Sequence, residues 1–125
     1  MTEYTNIEFK GEYIKAESRA RKSLEWARRF WSEVVKACEK NNCYKVLGVS
    51  ESLVVMPFLD GLDHADLFNE LGIDRKYRIA WVELNEEATD TVAFVDDFLY
   101  NRGLPGRLFQ NEEEAKTWLL EEDGF

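Results

Sequence analysis

The stretch Tyr77-Arg78-Ile79-Ala80-Trp81-Val82-Glu83-Leu84 alternates in a way that leaves neither side plainly solvated: Tyr77, Ile79 and Trp81 share one parity, and Ala80, Val82 and Leu84 share the other. Tyr44 to Val49 repeats the signal, with Val46, Leu47 and Val49 on both parities. Strands without a polar face belong inside a sheet covered on both sides, which is the situation of parallel strands. A central strand at Tyr44 to Val49 and a second strand at Tyr77 to Leu84 are therefore predicted.

Working outward, helical periodicity follows each strand. Glu86 to Asn101 places Ala88, Val92, Val95 and Leu99 on one face, with Glu86, Glu87 and Asp90 at its positive end and Gly103 past its finish. Arg107 to Gln110 is a last short strand. Asn111 then caps a helix that opens on Glu112, Glu113 and Glu114 and buries Ala115, Trp118 and Leu119. Between the two buried strands lies a connection from Ser50 to Leu62 with Pro57 and Gly61, and Asp63 caps a helix through Leu67, Phe68 and Leu71 that stops at Gly72.

At the amino end, Ile7 and Phe9, then Tyr13 and Ile14, flank Lys10-Gly11-Glu12 and read as a hairpin. From Ser18, read as a cap, Leu24, Ala27, Trp31, Val34 and Cys38 recur at helical spacing up to Asn41 and Asn42, with Trp26 and Phe30 beside that stripe. The order is ββαβαβαβα, an α/β fold with a mostly parallel sheet of about five strands and an N-terminal hairpin. With neighbouring strands joined by right-handed crossovers, the helices gather on one face. The other face then needs a cover, either a loop or a second subunit as in a homodimer.

Composition narrows the functional classes. The 125 residues, 45% hydrophobic and 14% aromatic, fit a single domain over residues 1 to 125. A net charge of -9 repels phosphate backbones, so no nucleic-acid partner is expected. The absence of a long apolar run and of a secretion-type leader leads to the expectation of a cytoplasmic protein. Cys38 and Cys43 fit neither a redox pair nor a zinc knuckle and are read as free thiols. The chain has one His, no Gly-x-Ser-x-Gly elbow and no Gly-rich phosphate loop, so no catalytic residue, cofactor or metal is expected. His64 among Asp60, Asp63 and Asp66 is better explained by helix capping than by a metal.

Several segments together resemble the SpoIIAA-like family, relatives of the STAS domains of anti-sigma factor antagonists: Tyr77-Arg-Ile-Ala-Trp-Val, Asn101-Arg-Gly, and Gly106-Arg-Leu-Phe-Gln-Asn-Glu-Glu-Glu-Ala-Lys-Thr-Trp-Leu. The resemblance spans nearly the whole chain and implies that fold. It implies no chemistry, because Phe109, Ala115 and Trp118 are packing residues. The antagonists' phosphoacceptor motif, of the type Asp-Ser-Ser-Gly, is replaced here by Asp60-Gly61-Leu62-Asp63-His64, with Ser50 and Ser52 at the preceding strand end, where they can stay solvent-exposed but do not match the motif position. Likeness to the lipid-binding CRAL-TRIO domain raises an apolar ligand as a class.

The candidate binding residues follow from two local anomalies. Residues 19 to 40 carry seven Lys or Arg against three Glu, interleaved with aromatic rings. On one reading Arg21, Lys22, Arg28 and Arg29 meet anionic headgroups while Trp26 and Phe30 enter the interface, a peripheral membrane contact. The plainer reading is a solvated charged face. The second anomaly is the apolar loop from Ser52 to Leu62, where Val55, Met56, Phe58 and Leu59 either fill the core or line a cavity for a lipid or apolar small molecule. The strand-end residues Ser50, Glu51, Ser52, Glu83, Asn85, Gln110 and Asn111 are read as loop and cap chemistry. The expected function is a non-enzymatic module for an apolar ligand or membrane surface; the alternative is an STAS-type protein-interaction domain.

Overall fold

The computed structural model describes residues 2–56, 62–101, 103 and 106–121. Strands β1 (Tyr4–Phe9) and β2 (Ile14–Arg21) form the antiparallel hairpin, turned at Gly11 with φ 93°. Helix α1 (Leu24–Asn41) leads to β3 (Lys45–Val54), α2 (His64–Leu71) to β4 (Arg78–Glu83), and a 3-10 turn (Glu86–Ala88) into α3 (Thr89–Asn101). Strand β5 (Gly106–Phe109) and helix α4 (Glu112–Leu120) complete the order. The sheet runs β1-β2-β3-β4-β5, parallel from β2 onward.

Local chemistry accounts for the helix ends. The Asn111 side chain accepts from Glu114 N at 2.8 Å, as its position predicted. Asp63 occupies its capping position without a side-chain cap bond. The first helix starts later than Ser18: β2 continues to Arg21, and Ser23 is the cap, accepting from Trp26 N at 3.1 Å. The ten residues of β3 pair with β4 from Lys45 to Ser50 and with β2 from Val46 on to Val54, so this strand also runs past the expected Val49 to Val54. The apolar connection therefore begins at Val55, not Ser52.

The two faces of the sheet differ. Helices α1, α2 and α3 cover one, over Ile14, Ala16, Val46, Ile79 and Trp81. The other face is covered by α4, whose Ala115 and Leu119 pack on Leu47, Ala80 and Val82. This corrects the expectation that all helices share a face and that a loop or second subunit supplies the missing cover. Among the described residues no strand follows α4 in the sheet, so the handedness rule that aligns crossovers does not act on it, and it can cross to the exposed apolar side. Lys15 pairs with Glu112 at 3.0 Å at its first turn, and Arg78 Nη2 donates to the Trp118 carbonyl at 2.8 Å at its last. Both parities of β4 are thereby buried, as its sequence required.

Candidate functional site

A pocket of about 120 Å³ opens where the carboxyl ends of β3, β4 and β5 meet α1, α2 and α3. Such ends are where parallel sheets bind ligands. Its walls are mainly apolar: Trp26 and Trp31 from α1, Val55 and Met56 after β3, Ile79 and Trp81 from β4, Val92, Val95 and Leu99 from α3. An apolar cavity of about 150 Å³ takes a benzene-sized body, so this space suits about four to six heavy atoms.

The aromatic wall is built by helical spacing and by one glycine. Trp26 stacks on Phe30 at 4.9 Å, Phe30 meets Trp31 edge-on at 5.1 Å, and Trp31 lies 5.5 Å from Trp81. Gly48 is paired with Trp81 across β3 and β4, and a β-carbon there would overlap the indole ring. The glycine lets that ring lie against the sheet.

Beneath the rings runs a polar row. Thr5, Ser18, Ser50 and Glu83 are register partners on consecutive strands and share the helix-covered face. Ser18 is 2% exposed, Ser50 0% and Ser52 4%. Glu83 accepts from Ser52 N at 2.9 Å, Ser52 Oγ at 2.8 Å and Asn85 N at 3.1 Å, and Asn85 Nδ2 donates to the Ser52 carbonyl at 2.6 Å. The strand-end serines are thus buried rather than left in solvent, because β3 extends past them. Among the described residues Ser50 Oγ has no hydrogen-bond partner.

Lys22 is the charged group of this site. Its backbone N–H donates to the Val54 carbonyl at 3.0 Å, at a register shift between β2 and β3. Its ammonium donates to Ser18 Oγ at 2.9 Å and sits 3.7 Å from the centre of the Trp26 ring. Lys22 is only 6% exposed, and burial pushes its ammonium down to about 8, against the opposing pull of Glu83 and Glu3. Among the described residues the Trp26 indole N–H, buried beside it, has no acceptor. An unmet buried donor costs about 1–3 kcal/mol. At the far end of the pocket, burial pushes the Asp96 carboxyl up to about 6, opposed by a hydrogen bond from the Leu108 backbone.

The candidate residues therefore separate. Trp26, Val55 and Met56 line the pocket. Trp26 and Phe30 are 8% and 2% exposed, part of the core rather than beside it, so these rings do not stand on an outer face. The sequence periodicity was drawn around Trp31, whereas the buried sector of α1 is wide enough to take both flanks. Arg28 and Arg29 are exposed and engaged with Glu70 and Glu25. Phe58, Leu59 and Asp60 lie outside the described residues. His64 lines the pocket near Phe68, and among the described residues no three His, Cys, Asp or Glu side chains gather as a metal site. Cys38 and Cys43 are free, and burial pushes the Cys38 thiol up to about 12. No helix among the described residues is long and apolar enough to cross a membrane.

Lys22 was read from sequence as a surface cation. The available signal was parity: once β2 runs to Arg21, Ile14, Ala16, Ser18 and Ala20 point inward, and Lys22 continues that series.

No family model matches the chain, and no curated protein matches it. Among solved structures it is similar to an uncharacterised DUF3478-family protein from Shewanella loihica PV-4 with a SpoIIAA-like fold. That likeness has a TM-score of 0.57 at 13% identity and covers 94% of this chain and 93% of that one. Likeness at this identity concerns the backbone path and carries no activity with it. In the order and pairing of its strands and helices, this chain has a SpoIIAA-like fold.

Proposed function

We propose that the chain is a binding module for a small amphipathic molecule, an apolar body of about four to six heavy atoms ending in an anionic oxygen group. The observation that carries this reading is the pairing of an apolar pocket with two buried donors at one end, the Lys22 ammonium and the acceptor-less Trp26 indole N–H. An oxyanion there accepts from both and returns to the ammonium the partner it loses on leaving water, while the rings and Val92, Val95 and Leu99 take up the apolar body.

Titration with straight-chain fatty acids of increasing length, read by tryptophan fluorescence, tests this. Trp26, Trp31 and Trp81 line the space, so a saturable change is expected with the shorter acids, weakening about tenfold in Lys22→Met, the size of one lost charge contact. No saturable response at any chain length would remove the reading.

A further inference from the structure

We infer that Lys22 also acts as an amine nucleophile, capturing an apolar aldehyde in the pocket as an imine. The inference rests on the pocket reading of the preceding section and goes beyond it, from a charge contact to a bond.

The geometry supplies what such chemistry requires. A nucleophilic lysine works in an apolar enclosure, where losing its proton is made easier and where the imine is shielded from hydrolysis. Lys22 lines an apolar cavity at its polar end, nine-tenths buried, with its backbone held to the Val54 carbonyl at the end of β3 and followed at once by the Ser23 cap of α1. Ser18 Oγ at 2.9 Å and the Trp26 ring at 3.7 Å hold the amine in place. The carboxylates that act on it are Glu83, tied up by Ser52 and Asn85, and Glu3, and neither forms an ion pair with it among the described residues. Burial lowers the cost of freeing the lone pair near neutral pH.

The step balances without a further reagent. The ammonium gives up a proton, the Nζ lone pair forms a bond to the aldehyde carbon, and the carbonyl pair moves to oxygen, which takes up a proton to give the carbinolamine. The nitrogen pair then expels the hydroxyl as water, for which the released protons suffice. One ammonium and one aldehyde become one iminium and one water. No group changes oxidation state.

The trapping experiment incubates the full chain with hexanal and sodium cyanoborohydride, a hydride donor that fixes the imine as a secondary amine, followed by intact mass and peptide mapping. Labelling at Lys22 is expected to outpace that at every other lysine by about tenfold or more, to fall when hexanoate is added, and to vanish from that peptide in Lys22→Arg. Mapping of the unmodified sequence decides the question even if the variant folds poorly. Label spread evenly over surface lysines, or absent from Lys22, overturns the inference. Saturable hexanoate binding without hexanal capture leaves the pocket reading standing and removes only the covalent step; loss of both removes both.

Discussion

The two faces of the sheet solve the same burial problem with different materials. Under α4 the fully buried residues Leu47, Ala80, Val82, Ala115 and Leu119 are aliphatic, with Tyr13, Phe109 and Trp118 packed at their margin, and they close on one another under a single nine-residue helix. Under α1, α2 and α3 the sheet meets Trp26, Phe30, Trp31, Phe68 and Trp81, a run of large rings stacked, tilted or set edge to face. Aliphatic chains adjust to fill space, whereas planar rings fixed by their neighbours leave it between them. The pocket lies on the aromatic face, and so does the buried cation. One face is built for closure and the other for an opening.

The largest expected effect breaks the closed face. Leu119→Ala removes a side chain that is 0% exposed, and the transfer and cavity terms together predict a loss of about 2–5 kcal/mol in denaturant unfolding. A loss well under that range would mean that the α4 face is as loosely filled as its opposite.

Gly48→Ala attacks the open face from beneath. The added methyl meets the Trp81 ring, which has to shift toward the pocket, at a cost of about 1–3 kcal/mol and with weakened fatty-acid binding. Unchanged stability and binding together would show that the ring has room to move.

Lys22→Met sharpens the contrast in the opposite direction, because here the substitution stabilises. The folded ammonium sits at about 8 against an ordinary 10.5, and each unit corresponds to about 1.4 kcal/mol, partly offset by the lost contacts to Ser18 and Trp26. A net gain of about 1–2 kcal/mol is expected at pH 7. Below pH 8 both folded and unfolded chains hold the proton and the burial penalty is present in full. Between 8 and 10.5 the unfolded chain binds more protons than the folded one, so the native protein gains stability relative to the variant as pH rises. The relief over this window, about 3 kcal/mol, exceeds the gap at pH 7, so the two curves should cross before pH 10.5, and Tm measured for both proteins across this window checks it. A variant that is less stable at pH 7 would contradict the assignment of Lys22 as a strained cation.

The smallest effect concerns a helix end. Asn111→Ala removes the cap of α4 and should cost about 1 kcal/mol, read most directly as faster hydrogen exchange at Glu114 and Ala115 with little change on the aromatic face.

Much of this architecture was legible in local pattern. Two strands without a polar parity required a sheet covered on both sides, and Gly72, Gly103 and Asn111 marked helix boundaries correctly because turn and cap chemistry acts within a few residues. The site was read less completely. Val55, Met56 and Trp26 were singled out, but the cation they surround was assigned to an outer face. The periodicity of Leu24 to Cys38 invited an earlier helix start, although Ser18 to Arg21 belong to a strand.

The sequence by itself determined the order of elements and the buried central strands, since propensity, capping and alternation are properties of neighbouring residues. Only the tertiary structure decided which face α4 covers, that Ser18, Ser50 and Glu83 form one row, and that Lys22 ends between Trp26 and Ser18. Those outcomes depend on strand register and on contacts between segments distant in the chain, and the energy of such contacts is set by what they exclude from water together.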